Sequence, residues 1–201
     1  MRGGGHADEA YSTWARALFD AARDAAGREA NLRSDGTWRA LGALSPAVLR
    51  RLADLARRGG PDLPRAPPGA CLVAITAAGL RHLTRVEKPL DTRGGLALRL
   101  SRAECVALPR AVAAPCAVYW DREARSVLLA FPGRAGPARP AKLAIRLDQA
   151  DKALGRDPAT GRARRLHLVV GGGHEDASAL AGRRFLRLDG ETDGEGAPDP
   201  S

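Results

Sequence analysis

Residues 80–88, Leu-Arg-His-Leu-Thr-Arg-Val-Glu-Lys, combine one histidine with three basic side chains. A helix over this segment would place Arg81, Arg85 and Lys88 on one stripe with His82 beside it, because positions four and seven apart share a helical face. Such a stripe binds phosphate groups, and imidazole changes its charge near neutral pH. A solvated helix face with a structural histidine is the equally weighted alternative.

Two later segments predict a second basic surface. Alternation along a strand places Lys142 and Arg146 on one face, opposite apolar side chains. In a following strand, Arg165 and His167 share a face in the same way. If the two strands pair, these four side chains form the floor of a groove that the basic helix borders. An ordinary solvent-facing sheet surface is the alternative.

The composition favours an anionic partner. The chain has 201 residues, of which 44% are hydrophobic and 4% aromatic, and its formal net charge is +9. A charge of this sign attracts nucleic acid even without specific contacts. Since only Lys88, Lys142 and Lys152 are lysines, nearly all of the positive charge is arginine, which also fits a coding bias. Charge alone therefore does not identify the partner.

The three cysteines argue against disulfides and against a metal site. Cys71, Cys105 and Cys116 lack CxxC spacing and have apolar neighbours, which favours buried, reduced thiols in a cytoplasmic protein. We expect no metal and no cofactor. No apolar stretch approaches the length needed to cross a bilayer, so no membrane partner is expected either.

The chain divides into four predicted segments. Residues 1–58 show helical spacing and form an N-terminal helical region. Residues 59–69 contain too much proline and glycine for a regular element and are predicted to be a linker. Residues 70–188 form the main domain, and the acidic residues 189–201 a disordered tail.

Within the main domain, helices come before strands. Thr76 is placed to cap the helix with His82, and Ser101 with Glu104 forms a capping box for a helix that ends at Pro109. The last four predicted strands form an antiparallel sheet. The order predicts an α+β fold, in which N-terminal helices are followed by a small antiparallel sheet of about four strands. The predicted strands are 71–75, 116–121, 126–131, 142–147 and 165–170.

Several shorter patterns carry weaker information. Gly171-Gly172-Gly173-His174 has the glycines of a phosphate loop, but it matches neither GxGxxG nor GxxxxGK[ST], so a flexible turn is predicted. The absence of GxSxG, HExxH and EF-hand patterns leaves serine hydrolysis, zinc proteolysis and calcium binding without support. Trp120 is predicted to be a core residue, with base stacking by Trp120 or Tyr119 as the alternative.

From residue 71 to 188, the order of these residues resembles the carboxy-terminal domain of Mu F-type phage head-morphogenesis proteins. That domain is grouped with phage nucleases of the barnase, EndoU, colicin and RelE-like fold. The resemblance does not cover the front of the chain. It is carried by His82, Arg85 and Lys88 followed by Gly94, by Leu108-Pro109, by Ala114-Pro115, by 117–121 leading into 128–131, and by 142–146.

The resemblance implies a metal-independent endoribonuclease, a toxin domain of phage or prophage origin. In such cleavage a base removes the 2′-hydroxyl proton, the oxygen attacks phosphorus, and an acid protonates the leaving 5′-oxygen. We expect His82 and His167 to transfer these protons. Catalytic cations would stabilise the charge on the pentacoordinate phosphorus. The expected catalytic cations are Arg85 and Lys88, and the expected substrate-binding residues are Arg81, Lys142, Arg146 and Arg165.

The chain departs from the family where an Asn and a Val-Arg-Thr-like run are expected on the last strand, because it has Leu-His-Leu-Val-Val-Gly at 166–171. Either His167 replaces the polar group, or this copy is inactive and is a nucleic-acid-binding or phage head-associated structural protein. A third reading is an interaction module for an acidic immunity protein. The expected partners are therefore RNA or another nucleic acid, an immunity protein, or phage head and portal proteins, in the cytoplasm or on the virion. The choice between RNA and DNA, the oligomeric state and the role of residues 1–58 stay open.

Overall fold

The computed structural model describes residues 4–24, 37–58, 72–84 and 99–189, with the side chains of the first helix described from residue 8 to 20. Helices lie at Gly4–Asp24 (α1), Pro46–Arg57 (α2), Ala77–Thr84 (α3), Arg102–Val106 (α4), Leu108–Ala113 (α5) and Ala177–Leu180 (α6). Strands lie at Trp38–Ala43 (β1), Leu72–Thr76 (β2), Ala117–Asp121 (β3), Ser126–Phe131 (β4), Ala141–Ala150 (β5), Arg165–His174 (β6) and Phe185–Arg187 (β7).

The strands form one mixed sheet in the order β1-β2-β6-β5-β4-β3-β7. Strands β3 to β6 are successive antiparallel neighbours, whereas β2 lies parallel to β6. The α+β class is therefore confirmed, and the predicted strands are present. The prediction of a sheet of about four antiparallel strands is wrong. The sheet has seven strands because β1 and β2 extend one side of it and the very short β7 extends the other.

The main hydrophobic core lies between helices α1 to α5 and one face of the sheet, which we call the helix-covered face. Leu143, Ile145 and Leu147 of β5 point into it, together with buried residues of the helices. Lys142 and Arg146 alternate with them and lie on the opposite face, which we call the open face. The predicted alternation of β5 is confirmed.

Residues before the predicted linker share this core. The Tyr11 hydroxyl donates a hydrogen bond to the Cys105 carbonyl oxygen at 2.8 Å, and Leu41 and Leu52 are buried in the same cluster. The N-terminal region, predicted to be helical, also contributes β1, which pairs with β2. The linker at 59–69 lies outside the described residues, as does the tail from residue 190 onward.

The two helix starts predicted from capping residues are confirmed. Ser101 and Glu104 form a capping box at α4, and the Gly79 N–H donates to the Thr76 hydroxyl at the start of α3. However, α4 ends at Val106, before Pro109. The proline instead lies in the first turn of α5, where its missing N–H costs no hydrogen bond.

The glycine run was predicted to be a flexible turn, but it forms the second half of β6. A Cβ on Gly172 would lie 3.0 Å from the Leu83 side chain and 3.2 Å from that of Leu100. The missing side chain of Gly172 therefore lets α3 and the segment before α4 pack close to the sheet.

The thiols differ from one another. Cys105 is buried, and burial together with the nearby Glu104 carboxylate raises the pKa of its thiol to about 12. Cys116 is exposed, so the prediction of burial is wrong for it, because it precedes β3 at the rim of the sheet. Cys71 lies outside the described residues. None of the helices within the described ranges is both long and apolar enough to cross a membrane.

Candidate functional site

His82 lies on the outer side of α3. Leu80 and Leu83 bury the other side of this short helix, which leaves the imidazole exposed. The predicted helix is confirmed for residues 77–84. Arg85 and Lys88, predicted to continue the basic stripe, lie outside the described residues.

His167 is a core residue. It is 1% exposed, and its register partner on β2 is Val73, which belongs to the main core, so its ring lies on the helix-covered face. Its Nδ1 accepts a hydrogen bond from the Asp148 N–H at 3.1 Å, and its Nε2 has no hydrogen-bond partner among the described residues. Burial lowers the pKa of His167 despite the opposing charge of Asp148. Near neutral pH the ring is therefore uncharged.

The structure does not bring the two histidines together. The helix that holds His82 packs on Gly172, through Leu83. His167 lies five residues before Gly172 on β6, or about 16 Å at the usual rise of a strand. A general acid or base must reach within about 3 Å of the proton it moves. One phosphate cannot contact both side chains at that separation.

The four basic groups predicted for a groove floor do not share one face. Lys142 and Arg146 lie on the open face, and Lys142 forms an ion pair with Glu175. His167 lies on the helix-covered face, and Arg165 binds the Asp148 carboxylate at 3.0 Å.

The reason for this difference is that β6 is apolar on both faces. Leu166 and Leu168 do not join the main core but pack with Leu154 and Trp38 in a second cluster. The chain that follows β5 and the start of β1 therefore cover the side of β6 that was predicted to face the main core, and His167 turns to the other side.

A different set of residues does converge near His82. The guanidinium of Arg99 donates to the His82 carbonyl oxygen at 3.3 Å, and that of Arg134 donates to the Arg99 carbonyl oxygen at 3.3 Å. The backbone N–H of Arg134 donates to Glu104 at 2.8 Å, and His174 Nε2 lies 2.9 Å from the same carboxylate oxygen. We call Arg99, Glu104, Arg134 and His174 the Glu104 network.

Glu104 has the role of a fixed anion. Burial raises the pKa of its carboxyl group. Hydrogen bonds from the backbones of Ser101 and Arg134, from the Ser101 side chain and from His174 lower the pKa by more than burial raises it, so the pKa lies below its usual value. The carboxylate is therefore ionised at neutral pH and engaged on both oxygens. It positions its neighbours and is not available as a general base.

Gly133 allows the network to form. A Cβ on this residue would lie 2.7 Å from His174 Nε2 and 2.8 Å from the Ala141 side chain. No other residue type fits there without displacing the imidazole from Glu104. The Arg134 guanidinium extends outward from this point, with its side chain 57% exposed.

Sequence reasoning identified Glu104 only as a capping residue and His174 only as part of a turn. Arg99 lies just before α4 and Arg134 lies just after β4, both outside any periodic pattern. No local sequence signal therefore marked them. Their proximity to His82 results from the packing of α3 against β6 and against α4.

Among the described residues, no group of three or more His, Cys, Asp or Glu side chains is arranged to hold a metal ion. Comparison of the chain with protein-family models, curated proteins and solved structures finds no match. The geometry around His82 is therefore the main basis for a functional proposal, and the likeness to Mu F-type carboxy-terminal domains stays a prediction.

Proposed function

We propose that this protein is a metal-independent endoribonuclease domain of the phage nuclease group it resembles, and that it cleaves RNA beside His82. The observation that carries the proposal is the exposed imidazole on α3, in a residue whose backbone carbonyl binds the Arg99 guanidinium, while the Arg134 guanidinium binds the Arg99 carbonyl in turn. An accessible titratable group among fixed cations is what cleavage of a phosphodiester without metal requires. The net charge of +9 supports an anionic substrate.

In this mechanism, the His82 imidazole removes the proton of the 2′-hydroxyl. The 2′-oxygen attacks the adjacent phosphorus, the bond from phosphorus to the 5′-oxygen breaks, and the leaving oxygen takes a proton from water. The products are a 2′,3′-cyclic phosphate and a free 5′-hydroxyl. Arg99 and Arg134 stabilise the additional negative charge that develops on the phosphoryl oxygens.

The Glu104 network keeps Arg134 in place for this task. Its carboxylate binds the Arg134 backbone, and its capping box ties the same carboxylate to the start of α4. Preorganised cations stabilise a transition state better than mobile ones, because they need no reorientation as charge develops.

The burial of His167 favours a second candidate function. The resemblance expects a polar group on the last strand, and the imidazole at that point is enclosed in the core. A catalytically inactive nucleic-acid-binding or head-associated protein of the same fold would have this property. It would keep the cations of the site and lack the second proton-transfer group.

Cleavage of end-labelled RNA in EDTA separates the two candidates. The proposal expects fragments that end in a 2′,3′-cyclic phosphate, with cleavage lost in His82→Ala while RNA binding persists. His167→Gln is the matched control, since it removes an imidazole that no substrate reaches, and it should retain cleavage wherever it folds. Tight binding with intact RNA would support the inactive protein instead.

Salt-dependent binding tests the position of the site. Removal of one cation that binds a phosphate should reduce the slope of log affinity against log salt by about one. We expect this reduction for Arg134→Ala and not for Arg50→Ala, an exposed arginine of α2 that changes the net charge equally. Equal slopes for both variants would place RNA elsewhere. A stable complex with an acidic protein and no RNA affinity would point to an immunity-type interaction module.

A further inference from the structure

A cavity of about 400 Å³ lies on the open face, beneath the loop between β4 and β5 and the start of α6. Its floor includes Ala130 and the ring of Tyr119, and Pro132, Pro137 and Leu180 contribute to its walls. The volume is within the range of about 300–1,000 Å³ that is usual for small-molecule sites. The predicted functions assign no role to this cavity.

The lining of the cavity is largely apolar. Leu180 and Ala130 are buried, and the proline rings present rigid apolar surfaces. Tyr119 supplies an aromatic face that is partly exposed, whereas its neighbour Trp120 is fully buried in the main core, as the sequence predicted. Stacking of a planar ring on an aromatic side chain is the common way in which proteins hold single-stranded bases.

Cations flank the cavity. Gly133 is part of its lining and at the same time contacts His174 of the Glu104 network, so one residue of backbone separates the cavity from that network. Arg134 follows directly in the chain. On the open face, Lys142 is the register partner of Ala130 in the cavity floor, and it is paired with Glu175. An apolar cavity with the Arg134 side chain beside it fits a nucleotide, whose base is largely apolar on its faces and whose phosphate is anionic.

We propose that this cavity binds a nucleobase of the RNA substrate while Arg134 binds an adjoining phosphate. The inference rests on the proposed function and deepens it, since it assigns the contact through which the enzyme would hold a base. The base would enter from the open face and stack on Tyr119, and the RNA backbone would pass the loop at Gly133 toward His82.

Cys116 is a reporter for occupancy, because it lines the cavity and is exposed. Cys105 is buried with a raised pKa and should resist alkylation. The experiment measures the rate at which iodoacetamide modifies Cys116, located by peptide mass mapping, in the presence of uridine or adenosine 3′-monophosphate. Ribose 5-phosphate, which has a phosphate but no base, is the matched ligand control.

The proposal expects a nucleoside monophosphate to slow the modification of Cys116 in a saturable way, and ribose 5-phosphate to leave the rate unchanged. Equal protection by both compounds would overturn it, because the phosphate alone would then account for binding. Absence of protection by any nucleotide would overturn it as well.

A pair of variants tests the cavity itself. Ala177 is exposed at its mouth, so Ala177→Phe fills the entrance without altering the core. We expect the half-protecting concentration to rise about tenfold to a hundredfold, the range that a stacked base is worth. Ala179→Phe adds the same ring to the same helix at an exposed position that does not line the cavity, and it should bind as the native protein does.

Failure of this inference is distinguishable from failure of the proposed function. If RNA is cleaved and His82→Ala is inactive, but nucleotides protect Cys116 in Ala177→Phe as they do in the native protein, the endoribonuclease stands and the base site is refuted. If RNA is not cleaved while nucleotides protect Cys116 in the native protein and not in Ala177→Phe, the base site stands and the cleavage mechanism is refuted.

Discussion

His167 is enclosed in a strand that has apolar side chains on both faces, and this environment governs its protonation. Its ring is held by the Asp148 N–H and lies against the same core as Val73. His82, for which the sequence predicted the same proton-transfer role, is exposed on a helix. The His167 imidazole therefore affects the stability of the protein, whereas the His82 imidazole is exposed at its surface.

The stability of the protein should fall as the pH is lowered below 6.5. In the unfolded chain His167 has its ordinary pKa of 6.5, while burial lowers the pKa in the folded state. Below pH 6.5 the unfolded state binds a proton that the folded state excludes. The free energy of unfolding therefore decreases as the pH falls from 6.5 to the pKa of His167 in the folded state. The loss is at most about 1.4 kcal/mol per pH unit. Urea unfolding on the two sides of pH 6.5 measures it.

His167→Gln should remove this dependence, since glutamine can still accept from the Asp148 N–H but does not titrate. His82→Gln is the control, because it makes the same replacement at an exposed position outside the core. Glu104 and Asp121 act in a separate range, because their pKa values are lowered from 4.5 and 3.8 and their stabilisation is lost only at more acidic pH. An unchanged slope in His167→Gln would show that another group is responsible.

At the scale of elements, the residues at the start of α4 do more than cap that helix. Its capping-box carboxylate also binds the loop between β4 and β5 through Arg134 and the end of β6 through His174. A helix of five residues is too short to be stable alone. These contacts fix it to the sheet and give the loop a defined position.

Glu104→Ala should therefore destabilise the protein more than Ser101→Ala. The serine variant loses one cap hydrogen bond, worth about 1 kcal/mol. The glutamate variant also removes the acceptor of the exposed Arg134 N–H, and it removes the carboxylate bound to the buried His174, whose loss costs about 1–3 kcal/mol. Urea unfolding midpoints compare the two. Equal losses would show that Glu104 does no more than cap α4.

At the scale of the whole molecule, residues on both sides of the predicted linker contribute to one sheet and one core. Strand β1 pairs with β2, and Tyr11 of α1 is buried with its hydroxyl bound to Cys105. The core is mainly aliphatic, and Tyr11 is one of the few aromatic side chains buried in it.

Tyr11→Ala should destabilise strands that it does not touch. Loss of a buried aromatic ring costs about 3–5 kcal/mol. If the molecule unfolds as one unit, native-state hydrogen exchange in β4 and β5 should accelerate by the factor that corresponds to this whole loss of unfolding free energy. Tyr11→Phe, which loses only the hydrogen bond, should cost about 1 kcal/mol. Unchanged exchange in β4 and β5 would instead show that residues 1–58 form a separate folding unit.

The sequence by itself determined the features that depend on near neighbours. The Ser101–Glu104 capping box, the start of α3 at Thr76 and the alternation of β5 were all predicted, because each results from contacts within a few residues. The general α+β class followed from the order of these elements. The strands β1 and β7 were missed, since the first has no clear alternation and the second has three residues.

Only the tertiary structure decided which functional groups meet. The face of His167 depends on a second apolar cluster that covers β6 from the other side. The Glu104 network joins residues up to 70 positions apart, and the cavity above Tyr119 forms where a loop and α6 close over the sheet. The physical reason is that a sequence pattern fixes how side chains alternate along one element, whereas the partner that covers each face is chosen by packing across the whole chain.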